Sequence, residues 1–500
     1  MLHSKTERKM TKKLLYILIA VPVLIFNSCK KDYLDTNPTD AYPSEAVFTT
    51  VDGAWTAING IHRSLYIQYD AQDQGGQGSI MINNDMLGDD LVMTAAGNGW
   101  FNSNYQWVTH RTTSATFLKF TYYFYYRIIA NANMILANVD RASGEDGPKA
   151  IVKGQAQAYR AWAYWNLVQM YGKRYDATSN NTQLGVPLVL TNTTQPLPRA
   201  TVAQVYAQIN KDIDDAIVNL AGYDMAEIDN RSHISLNAAK GIKARIALTM
   251  QDWATAATNA AEAREGVLLM TNADYQAGFN DYKNREWIWG SHQNSEQTTY
   301  FYSFFAFMSA NYNSSNVRTN PKAINSVLYE KMSATDVRRK VWSPDGTGVP
   351  VPSGGIKPPY INKKFLVATS SSIGDVPLMR AAEMYLIEAE AKARLHQDGA
   401  AADVLYELMS NRDPQYTRST ATGDALLEEI LTNRRIELWG EGFRFYDLKR
   451  MHQPLDRTGT NHSSVLTNSL MQVPADDIRW EFLFPQDELN ANGNIIQNDL

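Results

Sequence analysis

The chain has 500 residues, 44% hydrophobic and 20% charged, with a formal net charge of −5. This is the usage of a globular protein, and no dominant basic stretch follows the N-terminal segment, which argues against a nucleic-acid partner. A single cysteine, Cys29, excludes a disulfide within the chain and argues against a cysteine-based zinc site.

The N-terminal segment reads first. Lys5, Arg8, Lys9, Lys12 and Lys13 form a basic region ahead of an apolar run, Leu14 to Phe26. The run is too short to span a bilayer and suits a signal peptide over 1–28, which would be tighter if it began at Met10. Cys29 follows at once, where a bacterial lipoprotein is cleaved and acylated, although Phe26 and Asn27 are unusual for such a site. Residues 29–50 are polar, with Pro38 and Pro43 blocking a continuous helix, and read as a lipidated tether. The rest, 51–500, reads as one domain anchored to a membrane without spanning it.

Apolar residues at helical spacing then predict helices in pairs. The first two cover about Val51 to Gln68 and Phe117 to Arg141. A third covers Ala150 to Tyr171, with Gly172 as its cap. Thr201 and Gln204 have capping-box spacing at the start of a fourth. Leu236 to Thr249, Trp253 to Arg264, Arg380 to His396 and Asp424 to Met451 complete the set. Frequent alanines at the crossings predict a mainly α scaffold of stacked, tetratricopeptide-like helix pairs.

Two long irregular insertions, about 69–116 and 272–377, interrupt that scaffold and read as the binding surface. Gly75-Gly76-Gln77-Gly78 lacks the lysine of a phosphate loop and reads as a flexible link. A tight turn at Gly97-Asn98-Gly99 is expected to push Trp100 and Phe101 outward, with Asn102 and Asn104 at their edge and Asp89 just upstream. Sugar C–H faces pack on such rings while sugar hydroxyls need amide or carboxylate partners. Trp289, Tyr300 and Tyr312 are further candidates, although Trp287 and Trp289 alternate as in a strand, which places one of them in the core. The adjacent Asp89 and Asp90 could pass for a glycosidase pair, but neighbouring residues rarely face one cleft, and a solvated turn or helix cap is the simpler reading. There is no HExxH or GxSxG motif, and no metal or cofactor is expected.

The C-terminal block Asn433-Arg434-Arg435-Ile436-Glu437-Leu438-Trp439-Gly440-Glu441-Gly442-Phe443-Arg444-Phe445-Tyr446-Asp447 resembles the signature of SusD/RagB proteins. Phe484-Pro485-Gln486, Tyr171-Gly172, Gly185-Val186-Pro187-Leu188 and Arg380-Ala381-Ala382-Glu383 are similar to further motifs of that family, in the family's order. Ser410-Asn411-Arg412-Asp413-Pro414 departs from it, being shorter than usual. The resemblance implies a SusD-like fold and an outer-membrane lipoprotein facing the cell exterior. It also implies capture of oligosaccharides or other nutrients for a SusC-like TonB-dependent transporter, without enzymatic activity. A surface glycan-degrading enzyme and a helical-repeat scaffold for protein partners stand as alternatives. On physical grounds the signature block is structural: charges at ion-pairing spacing, a bend at Gly440 and Gly442, and Trp439 in the core.

Overall fold

The computed structural model describes residues 47–225, 230–293 and 300–500. The expected signal segment, Cys29 and most of the tether lie outside the described residues.

The main helices, numbered in chain order, are α1 Val51–Ser64, α2 Gly76–Met86, α3 Thr116–Asn138, α4 Asp146–Tyr171 and α5 Val202–Asn219. They continue with α6 Leu236–Thr249, α7 Trp253–Ala263, α8 Ala381–Arg394, α9 Asp398–Arg412, α10 Gly423–Glu437 and α11 Arg444–Arg450. From α3 to α8 each helix packs on the next, and α8 packs in turn on α9 and α10. The mainly α, paired-helix scaffold is therefore the one the periodicity predicts. Small residues make the stack close. Ala156, Ala158, Ala161 and Ala163 in α4, and Ala238, Ala239, Ala244 and Ala247 in α6, are all buried. The predicted capping box forms at the head of α5: Thr201 Oγ1 accepts from the Gln204 amide at 3.2 Å, and Gln204 Oε1 accepts from the Thr201 amide at 2.9 Å. Among the described residues, no helix is long and apolar enough to cross a membrane.

Three elements differ from the expectations. The Gly75–Gly78 segment opens α2, a helix with every residue buried. Polar and apolar residues alike are buried along it, so it shows no amphipathic period to read. A helix also forms at α9, where only a connection was expected. The anticipated helix from Asp424 to Met451 breaks at Leu438–Phe443, because Gly440 and Gly442 adopt φ +81° and +86°. Close packing requires the second of these. A side chain at Gly442 would place its Cβ 2.7 Å from the Met81 Cα of α2.

The two insertions are one structure. Leu91–Met93 pairs antiparallel with Lys322–Ile324, in the register Leu91↔Ile324, Val92↔Ala323 and Met93↔Lys322. Ile361–Asn362 and Trp342–Ser343 extend this to a four-stranded sheet. At the base of the second insertion, Trp287–Gly290 pairs with Pro377–Arg380 and closes the loop onto α8. An ion network ties that base to the scaffold. Arg380 meets Glu286 at 2.5 Å, Glu437 at 3.0 Å and Glu441 at 2.7 Å. Arg412 bridges Glu286 and Glu437, Arg338 joins Asp336 to Glu437, and Lys364 meets Glu441. Four cations face four carboxylates, all buried, which is the condition under which buried charge is tolerable.

Candidate functional site

The turn predicted at Gly97–Gly99 forms, with the Gly99 amide donating to Ala96 O at 3.0 Å. It is seated on the second insertion, where Asn98 Nδ2 donates to Ser315 Oγ at 3.3 Å. Trp100 emerges from it half-buried against the core. Phe101 does not point outward as expected. Its φ of +63° reverses the chain and turns the ring inward, 5.9 Å from Phe117 and 5.1 Å from Phe307. Asn102 is half-buried; its Nδ2 donates to Ala96 O at 3.1 Å, while its Oδ1 has no protein partner.

Several other expected ligand contacts are interior. Asn104 is buried, donating to Asn83 Oδ1 at 2.7 Å and accepting from Thr109 Oγ1 at 3.1 Å. Asp89 is buried and receives Arg444 Nε at 2.6 Å. Asp90 is buried beside it and receives Arg435 at 2.6 Å. These carboxylates are thus neither a solvated turn nor an open acid pair; they anchor the signature block. Burial alone would raise the Asp89 carboxyl, but Arg444 and Arg435 hold it below the usual carboxylate range. Trp289 is fully buried between Tyr159 and Trp162, with Nε1 donating to Ser232 O at 3.3 Å. Trp287 is buried as well, so both tryptophans of that strand are core. Residues two apart share one face of a strand, and both faces of this one are buried, so parity could expose neither.

Tyr300 is 63% exposed and Phe301 46% exposed. Tyr312, by contrast, is buried, with Phe301 packed over it at 6.2 Å. The 300–302 turn leads into the short helix Phe304–Met308, the same helix whose Phe307 receives Phe101. Both aromatic loops are therefore fixed to one support. Gln72 Nε2 donates to Phe301 O at 3.1 Å, tying in the first insertion again. Phe301 was not singled out from the sequence, although it stands within the aromatic run from Tyr300 to Phe307.

The supporting layer is uncharged at neutral pH where that matters. Burial pushes the His462 imidazole down to about 3, so it stays neutral. Its Nε2 contacts Asp89 O at 3.0 Å and must carry the proton, leaving Nδ1 to accept from the Tyr105 hydroxyl. Among the described residues no group of three His, Cys, Asp or Glu side chains is placed to hold a metal ion. Two larger cavities, of about 300 and 290 Å³, lie elsewhere and are rimmed mainly by charged groups such as Glu262 and Glu265, or Lys173 and Asp476. What the two insertions offer together is aromatic surface, the half-buried Trp100 and the exposed Tyr300 and Phe301, on loops fixed to one helix. That arrangement can stack flat apolar faces.

Comparison with known proteins agrees with this architecture. Residues 32–248 match a SusD-like family model described as "Starch-binding associating with outer membrane", and residues 254–500 match the SusD family model. A SusD-like protein of Bacteroides ovatus is 22% identical over 472 residues, covering 86% of this chain and 81% of that protein. The solved structure of a SusD-like carbohydrate binding protein from Bacteroides vulgatus superposes with a TM-score of 0.79 at 25% identity, covering 90% of this chain and 98% of that one. A SusD superfamily structure from Bacteroides thetaiotaomicron gives 0.77 at 22% identity, covering 90% and 100%.

Proposed function

This chain belongs to the SusD/RagB family, and from that premise we propose that it captures oligosaccharides at the cell surface and delivers them to a SusC-like TonB-dependent transporter. The observation that carries the reading is the aromatic edge built by both insertions: Trp100, Tyr300 and Phe301 on one support. Among the described residues its makeup suits a polyol with an apolar face better than a charged ligand. We read it as a binder rather than an enzyme, since the adjacent carboxylates that could pass for a glycosidase pair, Asp89 and Asp90, are each engaged by arginine. The carbohydrate-binding description of the Bacteroides vulgatus structure points the same way. Lipid attachment through Cys29 would hold the domain at the outer membrane with its edge outward. The helices between Phe117 and Ala221 would form the transporter face.

A glycan array on the mature domain identifies the ligand, and calorimetry of Trp100→Ala then tests the edge. Removing a central aromatic anchor costs about 2 kcal/mol, so affinity should fall roughly thirtyfold. An unchanged dissociation constant in a folded variant removes Trp100 from the site. The anchor is tested by fractionation: Cys29→Ser should leave the outer-membrane pellet, and wild-type retention without a bound partner refutes lipidation. Co-purification with a β-barrel transporter in mild detergent tests the partner, and recovery of the chain alone counts against it.

A further inference from the structure

We propose that a cavity of about 250 Å³ between α3 and the C-terminal helix Gln486–Ala491 is a second saccharide site, sized for a single pyranose ring. It shares no residue with the aromatic edge and is lined largely by residues of the 117–221 segment, so a saccharide there would lie beside the proposed transporter face. Drug-sized ligands occupy pockets of about 300 Å³ upward, so this volume suits a single sugar ring.

The floor is aromatic. Tyr122, Tyr123 and Tyr126 line it from three positions on one helix. Tyr122 and Tyr126 lie 4.6 Å apart between ring centroids at 43°, and Tyr122 and Tyr123 lie 5.4 Å apart at 86°. Tyr122 is buried, so the seat itself is formed by the half-buried Tyr123 and Tyr126. Tyr126 presents its ring only, because its hydroxyl already donates to Pro187 O at 2.8 Å.

The rim is polar and under-bonded. Glu488 accepts from the Tyr123 hydroxyl and from Asn492 Nδ2, each at 3.4 Å. Both contacts exceed the usual length, so the carboxylate has capacity for a better donor. Burial, reinforced by Glu488, pushes the Tyr123 phenol up to about 12, so the hydroxyl remains a donor. Thr193, Thr194 and Gln195 stand exposed on the opposite wall, supplying neutral hydroxyl and amide groups. The next acid along the helix, Asp487, is occupied by Lys119 at 2.5 Å. One open carboxylate among hydroxyls and an amide, over tyrosine faces, matches a ligand that both donates and accepts and has a C–H face. A cationic ligand would use only the acceptors.

The wall is also preformed, which lowers the ordering cost of binding. Asn492 Nδ2 donates to Leu197 O at 2.9 Å and Asn494 Nδ2 to Pro196 O at 2.8 Å. These bonds pin the 193–197 loop to the C-terminal segment and hold the mouth open.

The test uses the mature chain with the methyl glycosides of glucose, galactose, mannose and xylose at millimolar concentration, read by saturation-transfer NMR. At least one should bind. Glu488→Gln should weaken it about tenfold, the size expected for a charge-assisted hydrogen bond. Made on the Trp100→Ala background, Thr194→Trp, a change at an exposed position that fills the mouth, should abolish binding with folding intact. Trp100→Ala should leave it unchanged, which separates this site from the aromatic edge. Binding of none of the four, equal binding by Trp100→Ala with and without Thr194→Trp, or a loss confined to Trp100→Ala overturns the proposal.

Discussion

The ion network around Glu437 and the aromatic edge at Trp100 are built from residues that a sequence reading would equally nominate for function. The structure separates them by whether their bonding capacity is spent. Glu437 touches Arg338, Arg380 and Arg412, and the whole network is shut off from solvent. Trp100, Tyr300 and Phe301 keep apolar surface open. The first region is a fastening between insertion and scaffold. The second is a surface that can still bind. Clustered charge marks a site only when something in the cluster is left over.

Breaking the network should give the largest effect. Glu437→Ala leaves four buried cations facing three carboxylates and should cost about 3–5 kcal/mol, as removal of one partner of a buried pair does. Denaturant unfolding measures it, and a loss below 1 kcal/mol would mean that solvent reaches the network.

Asp85, next to it, should act through pH. Burial pushes its carboxyl up from the ordinary 3.8 to about 8, although the Gly442 amide donates to it. Below pH 3.8 both folded and unfolded chains hold the proton. Between 3.8 and 8 only the folded chain keeps it, so this contribution is full at low pH and lost as pH rises through about 8. Asp85→Asn should therefore gain stability over wild type progressively from pH 4 to pH 8. A difference between the two that does not change with pH would show Asp85 ionised in the fold.

The edge should behave in the opposite manner. Trp100→Ala should lower glycan affinity by about 2 kcal/mol and cost less stability than Glu437→Ala, because its ring is only half-buried against the core. Smallest of all, Tyr300→Ala should move stability by no more than about 0.5 kcal/mol, as surface changes do, while weakening binding. If it unfolds the protein instead, Tyr300 belongs with the fastening and the contrast between the two regions fails.

The helical frame was legible because its signals are local. Residues three and four apart share a helix face, so α3, α4 and α6 can be read from periodicity, and Thr201 with Gln204 marks a helix start by hydrogen bonds that span three residues. The bend at Gly440 and Gly442 was legible for the same reason, and so was the family signature around it. The α2 helix was not, because a segment buried on every side has no period. The candidate site divided along the same line: residue type nominated Trp100 and Tyr300, and equally Asp89, Asn104, Trp289 and Tyr312, which the fold encloses.

By itself the sequence determined a paired-helix scaffold, a family and two insertions rich in aromatic residues. Only the tertiary structure decided that the insertions share a sheet, that Phe101 turns inward while Phe301 stays out, and that Asp89 answers Arg444. The physical reason is range. Helix propensity and capping act within a turn or two of chain, whereas burial and ion pairing depend on which distant segment arrives. Glu286 meets Arg380 and Arg412 only because separate insertions and helices converge on one point.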